Sequence, residues 1–151
     1  MKHEFSDLSI LLTKDIDKTY KKDNGIYFTP KNTIKKNLDI LKPYFSNFKE
    51  VLEPSCGSCE YLIQIQKSYP DLNLLGIEKD ETIYKAITQF KNKNLQVINH
   101  DFLDLTLDKK FDLIIGNPPY FVLKKQNVSD EYNPYFEGRP NIFILFIIKC
   151  L

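Results

Sequence analysis

Short apolar runs alternate with longer amphipathic stretches through the middle of the chain, and the two periods predict two kinds of element. Val51-Leu52, Leu72 to Ile77, Leu95 to Ile98 and Phe111 to Ile115 read as buried strands. Tyr61 to Tyr69 and Glu81 to Phe90 read as helices between them. Upstream, Ile34, Leu38 and Leu41 recur at helical spacing after Thr33, which predicts a helix capped by Thr33 and ended by Pro43. Residues 1 to 24 mix Leu8, Ile10, Leu11, Leu12 and Ile16 with charge and close on Asp23-Asn24-Gly25, predicting a short helix and a loop. Residues 121 to 140 are polar and turn-rich, a predicted loop, and Asn141 to Leu151 reads as an apolar helix. The strand–helix–strand rhythm predicts an α/β fold with a doubly wound, mainly parallel sheet that places ligands at the carboxyl ends of its strands.

Composition bounds this picture without changing it. The 151 residues are 42% hydrophobic and 27% charged, which supports one globular unit over disorder, and too little chain for two full domains. A net charge of +1 removes the argument for nucleic-acid binding from overall basicity and leaves only a local basic face. The longest apolar run, Ile142 to Ile148, falls far short of the roughly 20 residues of a membrane helix. Cys56, Cys59 and Cys150 are too few and too odd in number for a disulfide framework, which fits reduced thiols in a cytoplasmic setting.

The chemistry gathers at the predicted strand ends. The first strand runs into Glu53-Pro54-Ser55-Cys56-Gly57-Ser58-Cys59, a tight turn opening a helix, where backbone can approach a ligand and helix N–H groups point at it. Twenty-one positions after Gly57, Glu78 closes the second strand, where an acid can accept both hydroxyls of a ribose. Asp101 ends the third strand and Asn117-Pro118-Pro119-Tyr120 the fourth. Two prolines lock an extended turn there, leaving the Asn117 side chain and the Pro118 carbonyl as adjacent acceptors beside an aromatic face. That arrangement suits an exocyclic amino group on a flat ring, with Tyr120 stacking on the ring.

From about Gly25 to Leu151, this set resembles the class I S-adenosylmethionine-dependent methyltransferases, specifically the DNA adenine-N6 enzymes of restriction-modification type. Tyr27-Phe28-Thr29-Pro30 matches the family's Thr-Pro motif, and its place ahead of Asn-Pro-Pro-Tyr is similar to the gamma arrangement. The resemblance implies that Thr29, Pro30 and Glu53 serve the methionine end of S-adenosyl-L-methionine, with Cys56 and Gly57 shaping the turn. Glu78 would take the ribose, and Asp101 with Phe102 the adenine. Asn117, Pro118, Pro119 and Tyr120 would hold the target amine of an adenine flipped from DNA. Cys59 stands where the family usually carries a second glycine, which predicts crowding of the cofactor and weak binding. By the same resemblance, residues 1 to 24 form an N-terminal extension. Residues 25 to 151 then form part of a catalytic domain, stopping after about four strands, with no target-recognition domain. The chain alone is then expected to be inactive and to associate through its apolar last helix, a second polypeptide or further region completing it.

Rival readings remain open. Protein glutamine and ribosomal RNA methyltransferases also use Asn-Pro-Pro-Tyr, though the early Thr-Pro motif and the long loop before Asn141 favour DNA. An inactive remnant or interaction module could keep the nucleoside fold. Cys56-x-x-Cys59 at a helix start also describes a thioredoxin-like redox site, and a zinc site would have to draw on His3, His100 and Cys150. His100 reads as a loop residue. The Lys14, Lys18, Lys21, Lys22 group and the Lys31, Lys35, Lys36 group read as solvated faces, with phosphate contact as the alternative.

Overall fold

A computed structural model describes residues 4–151, so His3 lies outside the described residues. Two short helices open the chain, α1 (Asp7–Asp15) and α2 (Lys18–Asp23), where the apolar pattern predicts one helix and a loop. Each begins at a polar cap: the Ser9 N–H donates to Ser6 Oγ at 3.0 Å, and the Tyr20 N–H to Asp17 Oδ1 at 2.9 Å. Helix α3 (Lys31–Leu41) starts at Pro30, not at Thr33, which sits inside the first turn. The fixed φ of proline, −62° here, already presets the entry, and no side-chain cap is used. A 3-10 turn over Lys42–Asn47 then contains Pro43.

Four strands follow, all parallel: β1 (Glu50–Glu53), β2 (Asn73–Glu78), β3 (Leu95–Asn99) and β4 (Leu113–Ile114), in the order β3-β2-β1-β4. Helices α4 (Glu60–Ser68) and α5 (Glu81–Ile87) connect the first three, and α6 (Ile142–Cys150) comes last. The strands obey the two-residue alternation. Val51 and Leu74 join Leu62, Ile65, Ile87 and Leu95 on one face, whereas Leu52 and Ile77 meet Phe102, Ile142 and Phe146 on the other. Both faces are covered, so β1 and β2 read as continuous apolar runs. Truncating a fully buried contact such as Ile65 to alanine costs about 2–5 kcal/mol in cores of this kind. The predicted fourth strand is shorter than expected, and the predicted second inter-strand helix tightens into a 3-10 turn at Thr88–Phe90. Residues 121–140 hold two 3-10 turns and an antiparallel bridge between Val122 and Asn141.

The chain winds outward from β1 to β3, then returns to place β4 on the other side of β1. That reversal opens a crevice at the carboxyl ends of β1 and β4. Among the described residues no helix is long and apolar enough to cross a membrane.

Candidate functional site

A cleft of about 370 Å³ lies over the carboxyl ends of the strands. Gly57, Glu78, Asp101, Phe102, Asn117 and Pro119 all line it, so polar residues from four strand ends do share one crevice. A narrow recess adjoins it, lined by Thr29, Glu53, Cys56 and Tyr61, and it shares Ser55, Gly57 and Asn117 with the cleft. Pro30, Pro118 and Tyr120 line neither space. Pro30 caps α3, and Tyr120 stands at the rim, 49% exposed, its ring 5.7 Å from that of Phe143 at a 40° tilt.

Glu78 is the buried hinge of the site. Its Oε2 accepts from the Gly57 N–H at 2.8 Å and its Oε1 from the Asp80 N–H at 2.7 Å. One carboxylate thus ties the glycine turn of β1 to the end of β2 and keeps lone pairs on both oxygens for further donors. Burial pushes its pKa to about 7, against the opposing pull of the backbone N–H groups of Asp80 and Gly57.

Glu53, at the end of β1, is 3% exposed, and its Oε2 has no hydrogen-bond partner. Burial, followed by the nearby Cys59, holds its carboxyl well above the usual range. Glu50 Oε2, also buried, is satisfied by Lys109 Nζ at 2.6 Å, which makes Glu53 the group that awaits a donor.

Asp101 is partly committed within the fold: its Oδ2 pairs with Lys79 Nζ at 2.7 Å and its Oδ1 accepts the Leu103 N–H at 2.9 Å. The lysine is 73% exposed, and an exposed pair of this kind contributes little, so the carboxylate can exchange it for another donor. Phe102 forms an apolar wall, its ring 5.2 Å from Phe146 and 5.4 Å from Lys149 Nζ. The Asn117 carbonyl accepts from Ser55 Oγ at 3.2 Å, joining the turn after β4 to the turn after β1.

Cys59 corrects the expectation of a crowded cofactor. It adopts the left-handed conformation, φ 66°, that a glycine would take freely, yet its side chain is fully buried among Leu62, Ile65 and Leu74. The strain costs on the order of 1–2 kcal/mol and is offset by burial away from the cleft. The redox reading is corrected with it. Both thiols are buried, and the hydrogen bond that the Cys56 thiol donates to Cys59, together with burial, raises the Cys56 pKa, the opposite of thiolate activation. Among the described residues no group of three or more His, Cys, Asp or Glu could hold a metal, and His100 is a loop residue whose Nδ1 lies 2.9 Å from the Asp101 carbonyl.

Sequence reasoning missed the part played by the first two helices. Ser9 on α1 is buried, with its Oγ 2.8 Å from Ser58 Oγ and donating to Glu60 Oε1 at 3.4 Å. Tyr20 on α2 donates to Asp80 Oδ2 at 3.0 Å and walls the cleft. Gly25, at φ +64°, brings its backbone against the turn after β4: a Cβ there would lie 2.8 Å from the Tyr120 nitrogen. Of these, Gly25 carried a local turn signal, and Asp80, an acid ahead of a helical run, does cap α5 by accepting the Ile83 N–H at 2.9 Å.

Comparison with known proteins agrees with this architecture. A crystal structure from Staphylococcus aureus, provisionally assigned as a caffeoyl-CoA O-methyltransferase, superposes with a TM-score of 0.51 at 18% identity, covering 75% of this chain and 54% of its own. Among curated proteins, modification methylase CviBIII of Paramecium bursaria Chlorella virus NC1A is 34% identical over 147 residues, 93% of this chain and 38% of its own length. Type II methyltransferase M.CvrRI of Paramecium bursaria Chlorella virus XZ-6E is 34% identical over 150 residues, 97% of this chain and 37% of its own. A tRNA1(Val) (adenine(37)-N6)-methyltransferase of Bacteroides thetaiotaomicron is 37% identical over 67 residues, 40% of this chain. The chain thus spans less than two-fifths of the length of the two viral relatives. The model of one family, the Eco57I restriction-modification methylases, matches residues 1–151, and the chain belongs to that family.

Proposed function

We propose that the cleft binds S-adenosyl-L-methionine and directs its methyl group to the N6 amino group of adenine in DNA, as the modification half of a cytoplasmic restriction-modification system. The observation that carries this reading is the convergence of Gly57, Glu78, Asp101 and Asn117 from four parallel strand ends on one cleft. The residues fit the cofactor. Glu53 Oε2 is a buried acceptor without a donor, suited to the ammonium of the methionine part, and Thr29 lines the same recess. Glu78 has lone pairs left for ribose hydroxyls, and Phe102 with Asp101 offers an apolar wall and an acceptor to the adenine ring and its amine. The cleft volume lies in the range of small-molecule sites.

When bound, the cofactor supplies an electrophilic methyl group on sulfur. The chain's part is alignment. In this reading Asn117 Oδ1 and the Pro118 carbonyl accept the two N–H hydrogens of the target amine, drawing its lone pair out of ring conjugation, and the exposed Tyr120 ring stacks on the flipped base. The name of the Bacteroides relative supports adenine N6 as the acceptor atom and keeps RNA as the second reading; the names of the viral relatives favour DNA.

The test offers duplex DNA, transfer RNA and a glutamine-bearing peptide to labelled S-adenosyl-L-methionine, with this chain alone and with the remaining region of a viral relative added. Label on adenine N6 of DNA in the supplemented reaction is expected. Label on RNA or peptide but not on DNA overturns the acceptor. Calorimetry showing no binding of S-adenosyl-L-methionine overturns the cofactor.

A further inference from the structure

The outer face of α1 and α2 carries a trough of about 720 Å³ that the cofactor site does not use. Phe5, Ile10 and Ile26 contribute to its floor, and Lys14, Lys18, Lys21 and Lys22 stand around it with Asp23 as the one acid in the lining. In a chain whose total charge is +1, four lysines against one aspartate make a concentrated positive patch. Neither Asp15 nor Asp17 lines the trough, and the Asp17 carboxylate accepts the Tyr20 N–H at the start of α2. Lys14, Lys18 and Lys22 form no ion pair among the described residues. Lys21 donates to the Thr13 carbonyl, which fixes its charge at the rim while leaving it uncompensated.

The patch is held in a defined relation to the cleft. Ser9 anchors α1 to Ser58, and Tyr20 anchors α2 to Asp80. The chain that leaves α2 packs Gly25 against the Tyr120 backbone, only three residues after Lys22. Ile26, Tyr27 and Phe28 then form a shared wall, facing the trough on one side and the cleft on the other. A base presented to Tyr120 brings its own strand along, and the Gly25–Tyr120 approach and the shared wall set this trough beside the cleft.

We propose that the α1–α2 trough docks the phosphate backbone of duplex DNA next to the nucleotide presented to Tyr120. The inference rests on the reading of DNA as the methyl acceptor and adds to it a positioning surface that selects no sequence. Lysine–phosphate contacts fix register and orientation, and their signature is counterion release.

The experiment compares the chain with a Lys14→Gln, Lys18→Gln, Lys22→Gln variant and with a control, Lys31→Gln, Lys36→Gln, Lys42→Gln, that removes equal charge from α3 and the start of the turn after it, which line neither space. Binding of a fluorescent DNA duplex is followed by anisotropy across salt concentrations. Three lost phosphate contacts flatten the slope of log affinity against log salt by about 2.7, so between about 50 and 200 mM salt the parent should lose about 40-fold more affinity than the trough variant. The control should keep the parent slope, and all three should bind S-adenosyl-L-methionine equally. A parent that binds no duplex at low salt, a trough variant with the parent slope, an equal effect of the control, or tighter binding of an acidic peptide of matched charge each overturns the proposal. The acceptor assay reports separately: methyl transfer to DNA with an unchanged trough slope sinks the trough alone, and transfer to RNA or peptide only sinks the reading beneath it.

Discussion

With the ribose of the proposed cofactor on Glu78, the cleft becomes a proton-linked binding site, and the size of the effect follows from the surroundings of that carboxyl. Folding lifts its pKa from 4.5 to about 7, chiefly because the carboxyl is removed from water, with Asp80 adding repulsion and the N–H groups of Asp80, Gly57 and Lys79 opposing it. Ribose hydroxyls donate to the ionised form, so a ligand seated on Glu78 must expel its proton below neutrality. If only the ionised site binds, affinity at about pH 5.5 is about 30-fold weaker than at about pH 8. Glu78→Gln keeps the shape and one acceptor but cannot titrate. The assay is calorimetric titration of S-adenosyl-L-methionine across this range for both proteins. The ligand's own titration is common to both and cancels in the ratio. The ratio of the two affinities should therefore change about 30-fold across the range. Parallel pH profiles would refute the placement of the ribose on Glu78. A second consequence has the opposite sense for the apoprotein. A raised carboxyl pKa favours the protonated fold, so its contribution is fully present below about 4.5 and is lost as pH rises through about 7, about 3 kcal/mol in all.

Three further outcomes follow from contacts already described. Asn117→Ala, in the supplemented enzyme, should lower turnover far more than cofactor affinity, because its proposed role is at the amine and not the sugar; equal losses in kcat and Kd would place it in the cofactor pocket instead. Gly25→Ala sets a Cβ 2.8 Å from the Tyr120 nitrogen at a positive φ, so it should cost at least about 1–2 kcal/mol in chemical denaturation and also depress methyl transfer. An unchanged denaturation midpoint would contradict the close approach. Ser9→Ala strands Ser58 and Glu60 in a buried site and should cost about 1–3 kcal/mol, read as a lowered Tm, with Ser9→Thr retaining the hydroxyl as the comparison.

Much of the sheet and most of the strand-end acids were legible because their signals are local. Apolar runs bounded by turn residues locate β1 to β3 to within a residue or two, and a glycine turn with an acid twenty-one positions later announces Glu78. β4 was overextended because half-buried apolar residues at Phe111 and Ile115 look like strand whether or not the ladder reaches them. Thr33 misled because a threonine ahead of an apolar period reads as a cap, whereas proline's preset φ three residues earlier starts the helix. Cys59 misled because a sequence shows that a side chain exists but not which way it turns. The contacts of Ser9 and Tyr20 span 49 and 60 positions, and no local pattern announces a serine pair or a tyrosine–aspartate bond over such separations.

Those two long-range bonds have a thermodynamic corollary. The glycine turn is gripped from one side by Glu78 and steadied from the other by a helix that arrives from the start of the chain. If α1 frays, the hydroxyl of Ser58 and the carboxylate of Glu60 lose a buried neighbour beside the very backbone that must meet a ligand. Detachment of the arm and emptying of the cleft are therefore coupled, and the coupling is reciprocal: whatever free energy the docked arm lends to ligand binding, ligand binding returns to arm docking. Amide hydrogen exchange in α1, which lines neither the cleft nor its recess, should accordingly slow when the cleft is filled, reporting occupancy from the far end of the chain.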